Sequence, residues 1–369
     1  MSSTVDWRVG FKKAATWNTA VPLGANDGVK ILSESMPEGI PEPILDENVG
    51  DVMTSGQMQG NINAEGGFVE AVRYLGLERR LALFMGADVV TLVAGETVIH
   101  QHEMIFQPSN TGKFGTLAID KGLGSLGSAP WEYPSVKFTG LELSHEGGKL
   151  QAGWNSLSNK CERDTAVIVN KASEFGALTN PTDGLLAIFN QMTLLIKEVT
   201  GAEGNLAGGD EIRCTNLKIS PKRNLSGDHE SGTGAGTIGE PETEKLSDGQ
   251  LMFTVANYNA TVDAIIKASQ IRQPCSNPKR YKATVEWLGC DIPGAAAASK
   301  YRLSFDLPSL ALATGPVNAG GPGQRTPVDL TFNISTPVAA GHGSAWAWVV
   351  IGRTPVRARL INTNSVSAA

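Results

Sequence analysis

The chain has 369 residues, of which 41% are hydrophobic and 18% charged, and its formal net charge is −6. This length and composition are typical of a globular protein with about two domains. The acidic balance argues against a surface that grips nucleic acid, since such a surface needs clustered Lys and Arg. The 42 glycines and 19 prolines favour many turns between short strands.

The terminal segments and the cysteines of the sequence indicate where the protein is made and whether it contacts a membrane or a metal. The first residues, "MSSTVDWRVGFKK", have no apolar stretch of the signal-peptide type. The apolar run "AWAWVVI" (345–351) is too short to cross a membrane. Cys161, Cys214, Cys275 and Cys290 are widely spaced, without a CxxC pair or a nearby pair of histidines. We therefore expect a protein made inside a cell, with ordinary thiols, no metal and no membrane contact.

In the first half of the chain, the strand "VKIL" (29–32) leads into a long polar loop, and a second strand begins at Gly56-Gln57. The spacing of four apolar residues then predicts a short helix packed on a sheet; they are Phe68, Val69, Val72 and Leu75. The stretch "VKFTGLELSHEGGKLQAGWNS" (136–156) alternates on both sides of Gly147-Gly148, which predicts a β-hairpin.

The second half has the same order of elements. Residues 183–199 fit a helix or a strand, and the order of elements favours a strand that opens the second domain. A strand over 212–220 precedes a polar loop, and another begins at Gly249-Gln250. Val262, Ile265 and Ile266 predict a helix, and alternation predicts strands over 281–289 and 328–334.

These parallels predict an internal duplication. Residues 55–75 align without a gap with residues 248–268, and "GIPEP" (39–43) matches "TIGEP" (237–241). Further along, 113–120 resembles 300–306 and 136–144 resembles 328–335. The predicted fold class is mainly β, with two tandem antiparallel β-sandwich or barrel domains, each with one flanking α-helix. We expect an N-terminal arm over 1–28, a first domain with connector over 29–200, and a second domain with a C-terminal extension over 201–369.

One motif suggests a cofactor. "GAGTIG" (234–239) fits the dinucleotide fingerprint G-x-G-x-x-G, which requires a hydrophobic strand before it and a helix after it. Here the preceding "RNLSGDHESGT" is polar and the following "EPETEK" is charged. A loop between two strands explains the glycines better, so we predict no cofactor.

Two further pairs of residues could carry chemistry. His100 and His102 share a strand face and suit a metal, but no third ligand follows, and a solvated strand face is the simpler interpretation. Trp346 and Trp348, on one predicted strand face, suit stacking on a sugar, although burial in a core or at a subunit contact is favoured. We predict no catalytic group and a structural protein rather than an enzyme.

The chain resembles a known family over most of its length. The residues that carry the resemblance are "KKAATWNTAVPLG" (12–24), the long loop after the first strand, the Gly-Gln strand with its helix, and "RLSFDLPSLAL" (302–312). In that order they resemble the tail tube proteins (major tail proteins) of long-tailed bacteriophages, of the two-domain type. The residues 158–200 and the C-terminal stretch depart from the family pattern.

The resemblance implies a virion tail protein that assembles with itself in the host bacterial cytoplasm. Its sheets would join into rings, of three double-domain chains with pseudo-sixfold symmetry or of six chains, and the rings would stack head to tail. Double-stranded DNA would pass through the channel without specific binding, helped by an acidic lumen. The resemblance also implies a tape measure protein and a tail terminator as partners. The alternative is a carbohydrate-binding or adhesin-like β-sandwich protein.

The long loops of the two halves are the candidate contacts with the next ring. The residues expected to make these contacts are Ile40, Glu42, Pro43, Asp46, Glu47, Asp228, Glu230, Gly234, Gly236, Gly239, Glu240, Pro241, Glu242 and Glu244.

Overall fold

The computed structural model describes residues 7–37, 44–45, 56–57, 61–62, 65–122, 128–181, 185–199, 205–229, 231, 237–245, 247–256, 258, 260–270, 279–296, 298–315, 327–337, 346–349 and 353–367. The fold is mainly β, as the sequence predicts, and the described residues form one sheet of 16 strands and two short two-stranded sheets. Every strand pair within the described ranges is antiparallel. In those ranges, no helix has both the length and the apolar character to span a bilayer.

The secondary structure follows in chain order. The strands are β1 (Arg8–Lys13), β2 (Gly28–Val29), β3 (Ile31–Glu34), β4 (Ile44–Leu45), β5 (Gly56–Gln57), β6 (Glu65–Ala71), β7 (Val89–Leu92), β8 (His100–Ile105), β9 (Gly115–Asp120), β10 (Pro130–Glu146), β11 (Lys149–Ser158), β12 (Met192–Val199), β13 (Asn216–Lys222), β14 (Leu225–Ser226), β15 (Glu242–Thr243), β16 (Asp248–Val255), β17 (Arg280–Asp291), β18 (Lys300–Thr314), β19 (Val328–Ile334) and β20 (Arg357–Asn362). The α-helices are α1 (Leu77–Met85), α2 (Ala172–Ala177) and α3 (Ala260–Gln270).

Strand pairing divides the large sheet into two equivalent modules. In the first module the strands lie in the order β1-β9-β10-β11-β6-β3, and α1 follows β6. In the second module they lie in the order β12-β17-β18-β19-β16-β13, and α3 follows β16. Each strand of one module therefore has a counterpart at the same place in the other, with a helix at the same point of the chain.

A short sequence match fixes the register of this repeat. Where β9 meets β10, the ladder shifts between Tyr133 and Val136, on either side of Pro134-Ser135. Where β17 pairs with β18, the ladder shifts between Leu307 and Leu310, which lie on either side of Pro308-Ser309. Aligning the two Pro-Ser pairs superposes "WEYPSVKF" (131–138) on "FDLPSLAL" (305–312). β10 is thus the counterpart of β18.

Both modules share one hydrophobic core. Fully buried aromatic side chains of the first module meet there: Phe138 lies 4.8 Å from Trp154 between ring centroids, and Trp154 lies 6.2 Å from Phe84 of α1. In the second module Phe253 stacks on Phe332 at 5.8 Å. One continuous cluster of buried residues contains all of them, so the two modules fold as one packed unit.

The structure corrects the predicted first helix. Residues 68–75 were expected to be helical, but 65–71 form β6 and the helix begins at Leu77. The gapless alignment of 55–75 with 248–268 is wrong for the same reason, since it places this strand opposite α3. The structural counterpart of β6 is β16, so the duplication exists at a different register.

Other elements agree with the sequence. The hairpin over 136–156 is confirmed by β10 and β11, with Gly147 and Gly148 both at positive φ in the turn. The second helix is confirmed by α3, and residues 192–199 form β12 as preferred over a helix. Residues 8–13, within the expected N-terminal arm, form β1 of the first module, and β12 pairs with β17 of the second.

Candidate assembly interface

The two modules join edge to edge through their backbones. After Val136, where β9 ends its pairing, β10 pairs along the same edge with β13 of the second module. The opposed residues are Gly140 with Lys222 and Leu143 with Ile219. The backbone N–H of Arg223 extends the contact by donating to the Thr139 carbonyl at 2.7 Å. A single sheet thereby continues from one module into the next.

A strap from the second module covers this joint. It consists of residues 237–241, which come between β14 and β15 in the chain and pack on the first module. The buried Lys137 ammonium donates to Glu240 Oε1 at 2.7 Å and to the Pro241 carbonyl at 2.8 Å. Trp17 Nε1 donates to the Ile238 carbonyl at 2.8 Å. Burial lowers the pKa of Lys137 below its usual range, while the charge of Glu240 opposes that shift.

Arg223 ties the second module to the helix of the first. Its Nε donates to the Phe84 carbonyl at 2.6 Å and its Nη2 to the Met85 carbonyl at 2.9 Å. The guanidinium carbon lies 3.9 Å from the centre of the Phe106 ring. Burial lowers the pKa of Arg223 to about 9. A planar group with several donors suits this site, because the last carbonyls of a helix lack partners of their own.

A second joint lies between the hairpin that follows α1 and the C-terminal strand. β8 of this hairpin pairs with β20 over six residues, and β20 pairs in turn with β18. The buried Arg357 side chain crosses it: its Nη2 lies 2.7 Å from Asp306 Oδ2, and its Nη1 lies 3.5 Å from Oε2 of the half-buried Glu103. The chain thus fastens its two modules at two separated places.

Beyond the core, the joined sheet exposes one broad polar face. It crosses both modules through β11, β10, β13, β16 and β19. Apart from the half-buried Met252, its side chains are polar, namely Glu142, Ser144, Gln151, Asn155, Lys218, Lys222, Gln250, Thr254, Asp329, Thr331 and Asn333. Three of its charges have polar neighbours: Lys218 Nζ lies 2.8 Å from Glu142 Oε1, and the Thr254 hydroxyl donates to Asp329 at 2.6 Å. We call this surface the polar face.

The predicted inter-ring residues are described only in part. Ile40, Glu42, Pro43, Asp46, Glu47, Glu230, Gly234 and Gly236 lie outside the described residues. Gly239, Glu240 and Pro241 belong to the strap, and the Gly239 N–H donates to the Asp228 carbonyl at 3.2 Å. Glu242 and Glu244 are exposed. The structure therefore brings part of the second loop against the neighbouring module of the same chain, and its contact with a further ring stays a prediction.

Sequence reasoning missed Lys137 and Arg223. Lys137 lies in the apolar run "WEYPSVKF" and Arg223 follows β13 in "PKRN", where each looks like an ordinary surface cation. Their burial depends on partners far along the chain, 103 residues away for Lys137 and Glu240. The one available signal was the position of Lys137 between two apolar residues of a predicted strand.

The remaining candidate groups have structural surroundings. His102 is buried and bonded to Asp88, so the expected solvated strand face is wrong at that position. Within the residues that the structure describes, no three His, Cys, Asp or Glu side chains come together as a metal site. Only 237–239 of the GAGTIG motif are described, and Ile238 among them is buried.

The two tryptophans do not lie on a strand. Residues 346–348 form a short helical turn, which corrects the expected strand. Their rings stack at 5.9 Å between centroids, and Trp346 is buried as expected. The Arg357 guanidinium lies 4.4 Å from the centre of the Trp348 ring. This covered pair gives no support to a sugar-binding platform.

Comparison with known proteins gives little information about family or function. No family model and no curated protein matches this sequence. Among solved structures, one similar chain is titled "Crystal structure of Hcp protein". It is 11% identical, the match covers 38% of this chain and 86% of that chain, and the TM-score is 0.22. Values this low carry no argument about function, so the geometry of the joint must carry it.

Proposed function

We propose that this protein is a structural subunit that joins further copies of itself into stacked rings around a central channel. The observation that carries the proposal is the internal joint, in which β10 of one module pairs with β13 of an equivalent module. A chain that already joins two copies of one sheet edge to edge is suited to repeat that contact with other chains.

The geometry of a repeated contact supports a closed assembly. The internal joint is head to tail, because it links different edges of two equivalent modules. A head-to-tail contact builds a ring when its rotation closes and a helical filament when it does not. A ring of modules would turn one side of the sheet towards a channel and the helices towards the outside.

The polar face suits the wall of such a channel. It carries mainly amides and hydroxyls, and its few charges include both signs. A polyanion such as double-stranded DNA finds few unpaired cations there on which to release counterions. This mixed lining differs from the acidic lumen expected from the sequence, and it also permits passage without tight binding.

Within this proposal, the resemblance gives the specific role. The protein would be the tail tube subunit of a long-tailed bacteriophage, assembled in the host cytoplasm and present in the virion tail. DNA would pass through the tube, and a tape measure protein and a tail terminator would be its partners. The role would be structural rather than enzymatic. The head-to-tail joint supports tube formation and does not by itself distinguish a phage tail from another tube.

Electron microscopy of the purified protein over a range of concentrations tests the proposal. We expect rings or stacked tubes with a central hole, in agreement with the head-to-tail joint. A protein that stays a compact monomer at the highest attainable concentration would contradict it. Particles that contain this protein should then be analysed for the other proteins they hold, which tests the phage assignment separately.

A further inference from the structure

Two buried cations act on each other at the joint between the modules. The Lys137 side chain is 1% exposed, and Arg223 is also buried. Burial lowers the pKa of Lys137, and the nearby charge of Arg223 lowers it further. Among the described residues, the Arg223 guanidinium donates only to carbonyls and packs on aromatic rings, and its Nη1 has no hydrogen-bond partner. The pair therefore places positive charge where water cannot solvate it, which is costly without a nearby anion.

One carboxylate compensates this charge. Glu240 Oε1 accepts from the Lys137 ammonium at 2.7 Å and from the Gly112 N–H at 2.6 Å. An ammonium and a backbone N–H that converge on one oxygen are typical donors of an oxyanion site. Glu240 reaches the site from the strap, and its side chain is 23% exposed. The carboxylate thus lies between the buried cation and the solvent.

Glu240 is also the one charged residue of the strap, whose sequence is Thr-Ile-Gly-Glu-Pro. The other bonds between the strap and the first module use neutral carbonyls, those of Ile238 and Pro241. A free anion cannot imitate these carbonyls within the chain, but its oxygens can imitate those of the Glu240 carboxylate. The donors that hold the charged part of the strap are therefore donors that a small oxyanion could also use.

We propose that Lys137, the Gly112 N–H and the charge of Arg223 form a binding site for a small oxyanion, such as phosphate or acetate, and that Glu240 is its tethered occupant. A free oxyanion replaces Glu240 and thereby releases the strap from the joint. Because the tether gives Glu240 an effective concentration in the millimolar range, the free anion must exceed that range to compete. The inference concerns the single chain and does not depend on the proposed assembly.

Removing the carboxylate tests the binding site. Glu240→Ala leaves the donors without their occupant, so sodium phosphate and sodium acetate should each raise the unfolding midpoint of this variant in a saturable way. Glu244→Ala is the matched control, because Glu244 is exposed and lies outside the strap. Sodium chloride at equal ionic strength controls for screening. An equal response of the two variants to phosphate and acetate would overturn the site.

Glu240→Gln serves the same test if the alanine variant does not fold. Glutamine has the same size and can still accept from Gly112, but it brings no charge to Lys137. Phosphate should therefore replace it and raise the unfolding midpoint in the same direction, at higher concentrations than for Glu240→Ala. A Glu240→Gln protein that responds to phosphate no more than Glu244→Ala would also overturn the site.

The wild-type protein tests the release of the strap. A ligand that binds only the released form increases its population in proportion to the ligand concentration. At about ten times the dissociation constant of phosphate for the variant that binds it, amide hydrogen exchange in 237–240 should be about tenfold faster than in sodium chloride of equal ionic strength. Exchange in 328–334 of β19, which lies away from the strap in the sheet, should be the same in both salts. Equal exchange of 237–240 in phosphate and chloride would overturn the release.

Discussion

His102 is held between two acceptors from distant parts of the chain. Its Nδ1 lies 3.0 Å from Asp88 Oδ2, and its Nε2 lies 3.0 Å from the Asn364 carbonyl. An imidazole can donate at both nitrogens only when it is protonated. Burial lowers the pKa of His102, but Asp88, the charge of Glu78 and the Asn364 carbonyl outweigh it and raise that pKa above 6.5. The protonated ring thus fastens the C-terminal segment to β8.

Replacing His102 should remove a pH-dependent part of the stability. A raised pKa in the folded protein means that the contribution is fully present below the unfolded value of about 6.5 and is lost as pH rises through the folded value. We expect His102→Gln to lower the free energy of unfolding by about 3 kcal/mol near pH 6, because Asp88 loses a buried partner. The difference from wild type should shrink as the pH rises through the raised pKa of His102 in the folded protein.

Denaturant unfolding at several pH values measures both effects. His229→Gln is the matched control, since His229 is exposed, and it should follow wild type at every pH. A His102→Gln difference that stays constant across the range would contradict the protonated clamp.

Single buried charges also explain where sequence reading failed. Glu70 points into the core from β6, where it accepts two bonds of 2.7 Å from Arg80 and one of 2.7 Å from Trp154. The core side of the strand therefore reads Phe68, Glu70, Val72, which hides the alternation of a strand. The partner that makes a buried glutamate tolerable lies on α1, so no local pattern could show it.

At the scale of elements, α1 depends on the other module for its C-terminal end. Gly86 closes the helix at φ 93°, where its N–H bonds the Ala82 carbonyl. The Phe84 carbonyl accepts a hydrogen bond from Arg223, and the Met85 carbonyl accepts one from Arg223 and one from the Gln107 N–H. A helix of nine residues is marginal without such tertiary support. Its position therefore reports whether the two modules are joined.

Arg223→Lys should loosen α1. Lysine keeps the positive charge but lacks the planar fork that reaches both carbonyls. Losing one charge-assisted bond in a buried place should lower the free energy of unfolding by about 2 kcal/mol. Amide hydrogen exchange should speed up in 77–85 more than in 260–268. Arg213→Lys is the control, because the Arg213 side chain is 94% exposed, and equal exchange in both variants would contradict the role of Arg223.

Elements with a strong period were predictable, whereas elements fixed by distant pairing were not. β19 alternates Val328, Leu330 and Phe332 inward, and its strand is found as expected. β8 and β20 could not be predicted as partners, since more than 250 residues separate His100 from Asn362, which lie opposite each other. Local sequence sets the period of a strand, but its neighbour depends on the packing of the whole sheet.

At the scale of the whole molecule, the duplication was visible in the sequence, but its register was not. Matches such as Gly56-Gln57 with Gly249-Gln250 gave the order of the halves correctly and placed their strands wrongly. The pairing order of the sheet supplies the register, in which Pro134-Ser135 of β10 is equivalent to Pro308-Ser309 of β18. This register shows that the chain joins its own two modules through different edges, that of β10 in the first and that of β13 in the second.

Added charge on the polar face tests whether this face lines the channel of the assembly. Asn155 and Gln250 are exposed on this face, one in each module. Replacing both by lysine adds two unpaired positive charges per chain to the proposed channel wall. Assembled wild-type protein should retain little double-stranded DNA. The Asn155→Lys/Gln250→Lys protein should retain it at low salt and release it as salt rises, with a logarithmic slope of about −0.9 for each phosphate neutralised.

A Val98→Lys/Val366→Lys protein is the control, because it adds the same charge at residues that are 49% and 67% exposed outside the polar face. If short DNA duplexes bind both lysine variants equally in a filter-retention assay, net charge alone explains the binding and the polar face is not the channel wall. Retention by the first variant alone would place the nucleic acid against the sheet, because only there would several added lysines from neighbouring chains face one duplex together.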